Sequence, residues 1–408
     1  MKSAPLFNSL SLFSVIVLLA AITVSRDVCA QSKNGIVTGA EQTDSYLSYL
    51  KGKRVGMVVN QTSVIGKKLS VDSLITLGVN ISAIFGPEHG FRGNASNGAK
   101  VDDEVDPNTG IRIISLYGKK RKPTKEDMDL VDIMVFDIAD VGCRFYTNIN
   151  TLADVMESCA ANGKELVIFD RPNPNAYVDG PVLDMTLTSG IGKFPIPITH
   201  GMTIGEFAQM INGEGWLPGK MQCKINVIKV KNYTHDMAYT LPVRPSPNLN
   251  TQQSILLYPS LCLFEGTIIS QGRGTYMPFT VLGNPELSSK KYKFSFTPVS
   301  IPGMSETPLH MDKACYGLDL RKYNAEKLRE KGKINLAWLM EMYKAYPHKE
   351  KFFDFTQSKQ MGNFDKLAGT RSLKEQIIKG VSEDEIRKSW EPGLSAYKEM
   401  RKKYLLYP

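Results

Sequence analysis

Ile133-Met134-Val135-Phe136-Asp137-Ile138-Ala139-Asp140, then Thr151 to Asn162, then Leu166-Val167-Ile168-Phe169-Asp170-Arg171-Pro172-Asn173, read together as strand, helix and strand. Both apolar runs are short and unbroken by polar residues, the pattern of strands covered on two faces. Between them Leu152, Val155, Met156 and Cys159 fall at helical spacing, and Gly163 marks a stop. A helix joining two such strands is the crossover of a parallel sheet. Upstream, Val55-Gly56-Met57-Val58-Val59 and Ile81-Ser82-Ala83-Ile84-Phe85 repeat the strand pattern. Downstream, Thr203 to Met210 predicts another helix, opened by Thr203 and Glu206 as a capping box. The expected fold is α/β, a Rossmann-like parallel sheet with flanking helices. Gly and Pro cluster at Gly215-Trp216-Leu217-Pro218-Gly219, where this rhythm changes. The predicted divisions are therefore a leader over 1–30, the sheet domain over 35–218 and a smaller α/β domain over 219–408. The last holds a Pro-rich strip (Leu241 to Asn250), a Gly-rich turn (Gln271 to Thr275) and helices over Ile334 to Ala345 and Ser382 to Tyr404.

The leader follows from Lys2, the apolar run Leu10 to Ile22, and Val28 and Ala30 at the positions that ordinary signal cleavage prefers. The run is too short for a lasting membrane span. Export to the periplasm or the exterior is expected, with Gln31 first in the mature chain and no membrane attachment afterwards. Arg26-Asp27-Val28 before Cys29 lacks the small residues of a lipid-attachment site. The formal charge of +9 suits an anionic substrate as well as a solvated surface. No run of consecutive basic residues forms a nucleic-acid stripe. Cys143, Cys159, Cys223, Cys262 and Cys315 follow the leader without zinc or disulfide spacing, and read as small buried hydrophobes.

Each of the four strands runs into polar residues, and an open parallel sheet binds ligands beyond the carboxyl ends of its strands. The first leads to Asn60 and Gln61, the second to Glu88, His89 and Arg92, the third to Asp137, Asp140, Arg144 and Tyr146, the fourth to Asp170, Arg171 and Asn173. Turn and cap chemistry accounts for such residues singly; four ends in succession point to a shared site. Glu88, between Pro87 and His89-Gly90, is placed for a general acid with a raised pKa, or for an ion pair with Arg92. His89 and His200 are candidates to orient it, or structural histidines. There is no nucleophile elbow, zinc helix or phosphate loop, and the first strand lacks the Gly-rich dinucleotide turn, so no cofactor or resident metal is expected.

Three longer segments carry a likeness to a known family. Phe85-Gly-Pro-Glu-His-Gly-Phe-Arg-Gly93, Phe136-Asp-Ile-Ala-Asp-Val-Gly-Cys-Arg-Phe-Tyr-Thr147 and Asp170-Arg-Pro-Asn-Pro174 resemble the NamZ-type exo-β-N-acetylmuramidases. The likeness continues through Val58-Val-Asn-Gln-Thr62, Ser115-Leu-Tyr-Gly118, His200-Gly-Met-Thr203, Ser246-Pro-Asn248, Tyr258-Pro259, Glu265-Gly-Thr267, Gly272-Arg-Gly-Thr275 and Tyr404-Leu-Leu-Tyr407. Ala139, Cys143 and Leu249-Asn250 depart from the family's usual residues, and at Ala139 a glutamine amide is lost. The resemblance implies a catalytic Rossmann-like domain, an auxiliary C-terminal domain, and a cleft between them. It also implies release of N-acetylmuramic acid from non-reducing ends of peptidoglycan fragments, with Glu88 as the acid.

A glycosidase needs a second group opposite the acid. Asp137, Asp140, Asp170 and Tyr146 are open candidates, as is the substrate's own 2-acetamido group. Arg144, Arg171 or Arg273 could hold the lactyl carboxylate of muramic acid, or pair with those aspartates. Asn60, Gln61, Arg92, Asn173, His200, Asn248 and Glu265 complete the expected substrate contacts. Two other readings use the same residues: a non-catalytic binding protein for cell-wall sugars, and a metal-dependent hydrolase built on Glu88, His89, Asp170 and His200.

Overall fold

The structure, a computed structural model, describes residues 35–87, 90–91, 104–118, 120–353 and 363–408. Its main sheet has seven strands: β1 (Val55–Val59), β2 (Ile81–Gly86), β3 (Glu104–Val105), β4 (Arg112–Ser115), β5 (Ile133–Asp137), β6 (Glu165–Phe169) and β7 (Lys224–Ile228). They lie in the order β7-β6-β5-β1-β2-β4-β3. Every neighbouring pair is parallel except the β3–β4 edge. From the centre the chain steps outward through β1, β2 and β4, then returns to β5 and steps the other way through β6 and β7. That is a doubly wound sheet, and its topological switch point lies between β1 and β5.

Successive side chains of a strand point to opposite faces, and both faces here are covered. On one, Met57, Val59, Val135 and Phe169 pack with Tyr46 and Leu50 of α1 (Thr43–Leu50) and with Val71 and Leu74 of α2 (Ser70–Thr76). On the other, Val58, Met134, Phe136 and Ile168 pack with Leu152 and Met156 of α3 (Asn148–Ala161) and with Phe207 and Ile211 of α4 (Ile204–Gly213). Each such side chain contributes about 1.5–3 kcal/mol by leaving water. The expected capping box forms: the Thr203 hydroxyl accepts from the Glu206 N–H while the Glu206 carboxylate accepts from the Thr203 N–H.

A second core surrounds α5 (Gln252–Leu261) and carries a small antiparallel sheet of β8 (Val281–Asn284), β9 (Phe294–Phe296) and β10 (Cys315–Asp319), ordered β8-β10-β9. The long α6 (Glu383–Lys402), capped by Ser382, joins the two cores: Trp390 and Leu394 lie in the second, Tyr397 in the first.

Two findings modify the sequence reading. The sheet does not stop at 218, because β7 pairs with β6 along its whole length; Gly215 to Gly219 is the turn that leads into it. β7 and β4 escaped notice because both are partly exposed and carry polar residues among the apolar ones. The five cysteines are buried free thiols. Among the described residues no helix is long and apolar enough to cross a membrane. The expected leader, over residues 1–30, lies outside the described residues.

Candidate active site

At the switch point Val59 and Asp137 stand opposite each other at the carboxyl ends of β1 and β5. The loop after β1 is sewn to the loop after β5. Asn60 Oδ1 accepts from the Thr62 N–H at 2.9 Å and from its hydroxyl at 2.6 Å, and Thr62 Oγ1 accepts from the Ala139 N–H at 3.0 Å. The Asn60 N–H donates to Ser63 Oγ, whose hydroxyl donates to the Asp137 carbonyl. Behind this seam Arg171 Nε meets Asp137 Oδ1 at 2.7 Å, and Nη2 donates to the Val64 carbonyl at 2.9 Å. Burial alone would lower the Arg171 pKa, but the adjacent Asp137 carboxylate offsets this and lifts it above the ordinary guanidinium value. Both side chains are buried, so this pair braces the crevice floor.

The parallel strands set Asp170 at the same rim, but it turns inward. Its carboxylate accepts from the Thr203 hydroxyl (2.7 Å), the Gly205 N–H (2.9 Å) and the Tyr407 hydroxyl (2.6 Å), at the N-terminus of α4. Burial dominates and pushes its pKa up to about 6, against the lowering effect of these three donors. Asp140 accepts from the Gly142 N–H at 2.7 Å and faces His200 Nε2 at 3.4 Å. His200 Nδ1 accepts from the Met202 N–H, which leaves Nε2 to carry the ring proton toward Asp140. Asp170 and His200 each have partners of their own, and among the described residues no group of three or more His, Cys, Asp or Glu side chains is placed to hold a metal ion.

Arg144 is also enclosed. Its guanidinium donates to the carbonyls of Pro181, Ile196 and Leu367 at 2.8–2.9 Å, and burial draws its pKa down to about 9. It staples the C-terminal part to the sheet domain and is not presented to a ligand. Asn173 is spent on local backbone: Nδ2 donates to the Met202 carbonyl and Oδ1 accepts from the Asn175 N–H.

Two rim residues do face across the crevice. Gln61 Nε2 and the Tyr146 hydroxyl both donate to the Pro245 carbonyl, at 2.8 and 3.0 Å. Tyr146 is half-buried and meets Tyr258 edge-on, with ring centroids 6.0 Å apart. Tyr258 in turn meets Phe279 at 5.0 Å, and the Arg273 guanidinium lies 5.2 Å over the Phe279 ring. Arg273 pairs with Glu265 Oε1, which also accepts from Gln271 Nε2. The expected residues Gln61, Tyr146, Glu265 and Arg273 are thus linked through one aromatic row.

Several acceptors around the crevice are buried without a donor: Gln61 Oε1, Asp137 Oδ2, Asp140 Oδ1, Asn248 Oδ1, Glu265 Oε2 and Gln271 Oε1. An unsatisfied buried acceptor costs about 1–3 kcal/mol, so a row of them suits a ligand that brings hydroxyl and amide donors. Arg244 was missed by the sequence reading. It is exposed, its carbonyl accepts from Gln61 Nε2 at 3.4 Å, and its guanidinium makes no ion pair with a described residue. The one available signal was its position just before Ser246-Pro247-Asn248. Glu88, His89 and Arg92 lie outside the described residues. Their flanks are fixed: the Gly90 N–H donates to the Pro87 carbonyl at 2.9 Å, directly after β2.

Comparison with known proteins gives a consistent result. A family described as exo-β-N-acetylmuramidase NamZ, N-terminal, matches residues 55–253, and its C-terminal counterpart matches residues 256–407. The peptidoglycan β-N-acetylmuramidase NamZ of Bacillus subtilis (strain 168) is 38% identical over 417 residues, covering 98% of each chain. A crystal structure of a DUF1343 family protein from Bacteroides fragilis NCTC 9343 superposes with a TM-score of 0.83 at 44% identity, over 91% of this chain and 99% of that one. A second DUF1343 structure from the same organism gives 0.79 at 28% identity, over 92% and 100%.

Proposed function

We infer the activity from one premise: the chain belongs to the exo-β-N-acetylmuramidase NamZ family, both halves of which it contains in order. It is a glycoside hydrolase that releases N-acetylmuramic acid from the non-reducing ends of peptidoglycan fragments. The observation that carries this is the 38% identity to a peptidoglycan muramidase across 98% of both chains. The crevice at the switch point, with its row of unpaired acceptors, is where such a saccharide fits.

Glu88 is the general acid that protonates the leaving glycosidic oxygen. Its support is its place directly after β2, whose carboxyl end borders that of β1 at the crevice, in a segment anchored through Pro87 and Gly90. For the second role the surroundings of the three aspartates matter. Asp137 is tied to Arg171, Asp140 faces His200, and Asp170 caps α4, each with almost no exposure. Tyr146 and Gln61 keep access to the crevice. This favours participation by the substrate's own 2-acetamido group, with Tyr146 steadying the amide and no protein nucleophile. The lactyl carboxylate is met by a guanidinium on the C-terminal side, Arg244 or Arg273, because Arg171 is paired with Asp137 and Arg144 is enclosed with both terminal nitrogens given to backbone carbonyls.

Glu88→Gln should cut release of muramic acid from a defined muramic-acid-terminated disaccharide by about 10³-fold, while circular dichroism and ligand binding hold. Near-normal turnover would remove Glu88 from the role. A wild-type protein that binds a chromogenic β-muramide without cleaving it would instead mark a sugar-binding module. Export is part of the same proposal. It is supported by Lys2, the apolar run Leu10 to Ile22 and the small residues Val28 and Ala30. N-terminal sequencing of protein recovered outside the cytoplasm should begin at Gln31, and recovery of Met1 would refute it.

A further inference from the structure

We propose that the loop from Gln271 to Phe279 is the platform for the sugar on the leaving-group side of the scissile bond, with Tyr276 as its stacking face. The proposal rests on the muramidase reading above and names the second ring that the crevice recognises.

The loop is built to be stiff. The Phe279 N–H donates to the Gln271 carbonyl at 2.7 Å, the Thr275 N–H and hydroxyl both donate to the Gly272 carbonyl, and the Met277 N–H donates to Thr275 Oγ1. Phe279 sits at φ 54 with its ring buried, a left-handed conformation that a bulky side chain adopts only under constraint. Gly274, at φ 79, passes so close to Pro308 that a Cβ would lie 2.4 Å from the proline ring. Yet this braced loop leaves Tyr276 78% exposed, more than any other large hydrophobic residue described. A flat aromatic ring held out of the core on a rigid support offers a face to the apolar side of a pyranose.

Its position relative to the crevice follows from contacts already given. The Tyr276 carbonyl accepts from Asn250 Nδ2 at 3.3 Å. Ser246 and Leu249 close a turn as an antiparallel bridge, which sets Pro245 and Asn250 side by side. Pro245 is the residue that Gln61 and Tyr146 hold from the rim. Tyr276 is therefore tied to the rim residues Gln61 and Tyr146 through Asn250, the Ser246–Leu249 turn and Pro245. In the same turn Asn248 Oδ1 and Asn250 Oδ1 are buried without donors, acceptors that sugar hydroxyl or acetamido N–H groups would satisfy. An exo-acting enzyme keeps the terminal ring at the crevice. The ring that reaches Tyr276 is then the next one of the glycan, an N-acetylated hexosamine.

The test compares wild type, Tyr276→Ala and Tyr276→Phe on two substrates: a β-muramyl disaccharide ending in N-acetylglucosamine, and methyl β-N-acetylmuramide, which has no second ring. Tyr276→Ala should raise KM for the disaccharide about tenfold, with kcat little changed, and leave KM for the methyl glycoside unaltered. Tyr276→Phe keeps the ring and should match wild type on both. Equal losses on the two substrates, no loss on the disaccharide, or a Phe variant as poor as the Ala variant would each overturn the platform. Wild-type protein that cleaves neither substrate would overturn the muramidase reading itself.

Discussion

Arg144 and Arg244 bring the same guanidinium into opposite circumstances. Arg144, on the strand-end rim, gives its two terminal nitrogens to three backbone carbonyls and is closed off from solvent. Arg244, in the Pro-rich strip opposite, is exposed and makes no ion pair with a described residue. The contrast extends in part to their neighbours. Asp170 and Arg171 on the rim are enclosed and engaged, while Asp137 gives one carboxylate oxygen to Arg171 and keeps the other without a donor, as Asn248, Glu265 and Gln271 across the crevice keep theirs. The rim guanidiniums brace one wall and Arg244 stands open to solvent on the other, so a charged residue near an active site is not thereby part of its chemistry.

The division is broken most directly at Arg144. Arg144→Met strands three buried carbonyls and should lower unfolding free energy by about 3 kcal/mol in urea titrations, while kcat/KM per folded molecule is retained. A large fall in kcat/KM with stability preserved would instead make Arg144 part of the chemistry. Asp170 supplies an effect of similar size that depends on pH. Its folded-state pKa, about 6, lies above the ordinary carboxyl value, so the folded state favours the neutral acid. The stabilisation from this group is complete below about pH 4 and is lost as pH rises through 6, a difference of up to about 3 kcal/mol. Asp170→Asn should abolish that component, so wild-type and variant stabilities diverge between pH 4 and 7; parallel curves would count against it. The smallest effect belongs to Arg244. Arg244→Ala should leave stability within about 0.5 kcal/mol but raise KM for muramic-acid substrates roughly threefold to tenfold, less so at high salt.

The sequence made the sheet legible because β1, β2, β5 and β6 are covered on both faces and must be almost continuously apolar. It hid β7, whose Lys224 is exposed and whose other residues are only half-buried. The capping box at Thr203 was readable because its partners lie three residues apart. The roles of the polar strand ends were not, since they depend on distant partners. Nothing near Asp170 announces Tyr407, 237 residues further on, and nothing near Arg144 announces Leu367, 223 residues further on. Sequence placed these groups at the rim and could not say which way they face.

The fastening of Asp170 by Tyr407 also bears on biosynthesis. The Tyr407 hydroxyl accepts from the Val230 N–H beyond β7, the Leu406 N–H donates to Glu206 on α4, and the Pro408 carbonyl accepts from the His235 N–H. Residues 406–408 therefore complete a domain whose strands are all made long before them. A chain that folds from its N-terminal side can lay down the sheet, yet the Asp170 carboxylate lacks its Tyr407 donor until this segment docks. Ribosomal stalling or proteolytic clipping just upstream would then yield a sheet domain that looks complete in length yet carries an open seam, a ready mark for quality-control proteases.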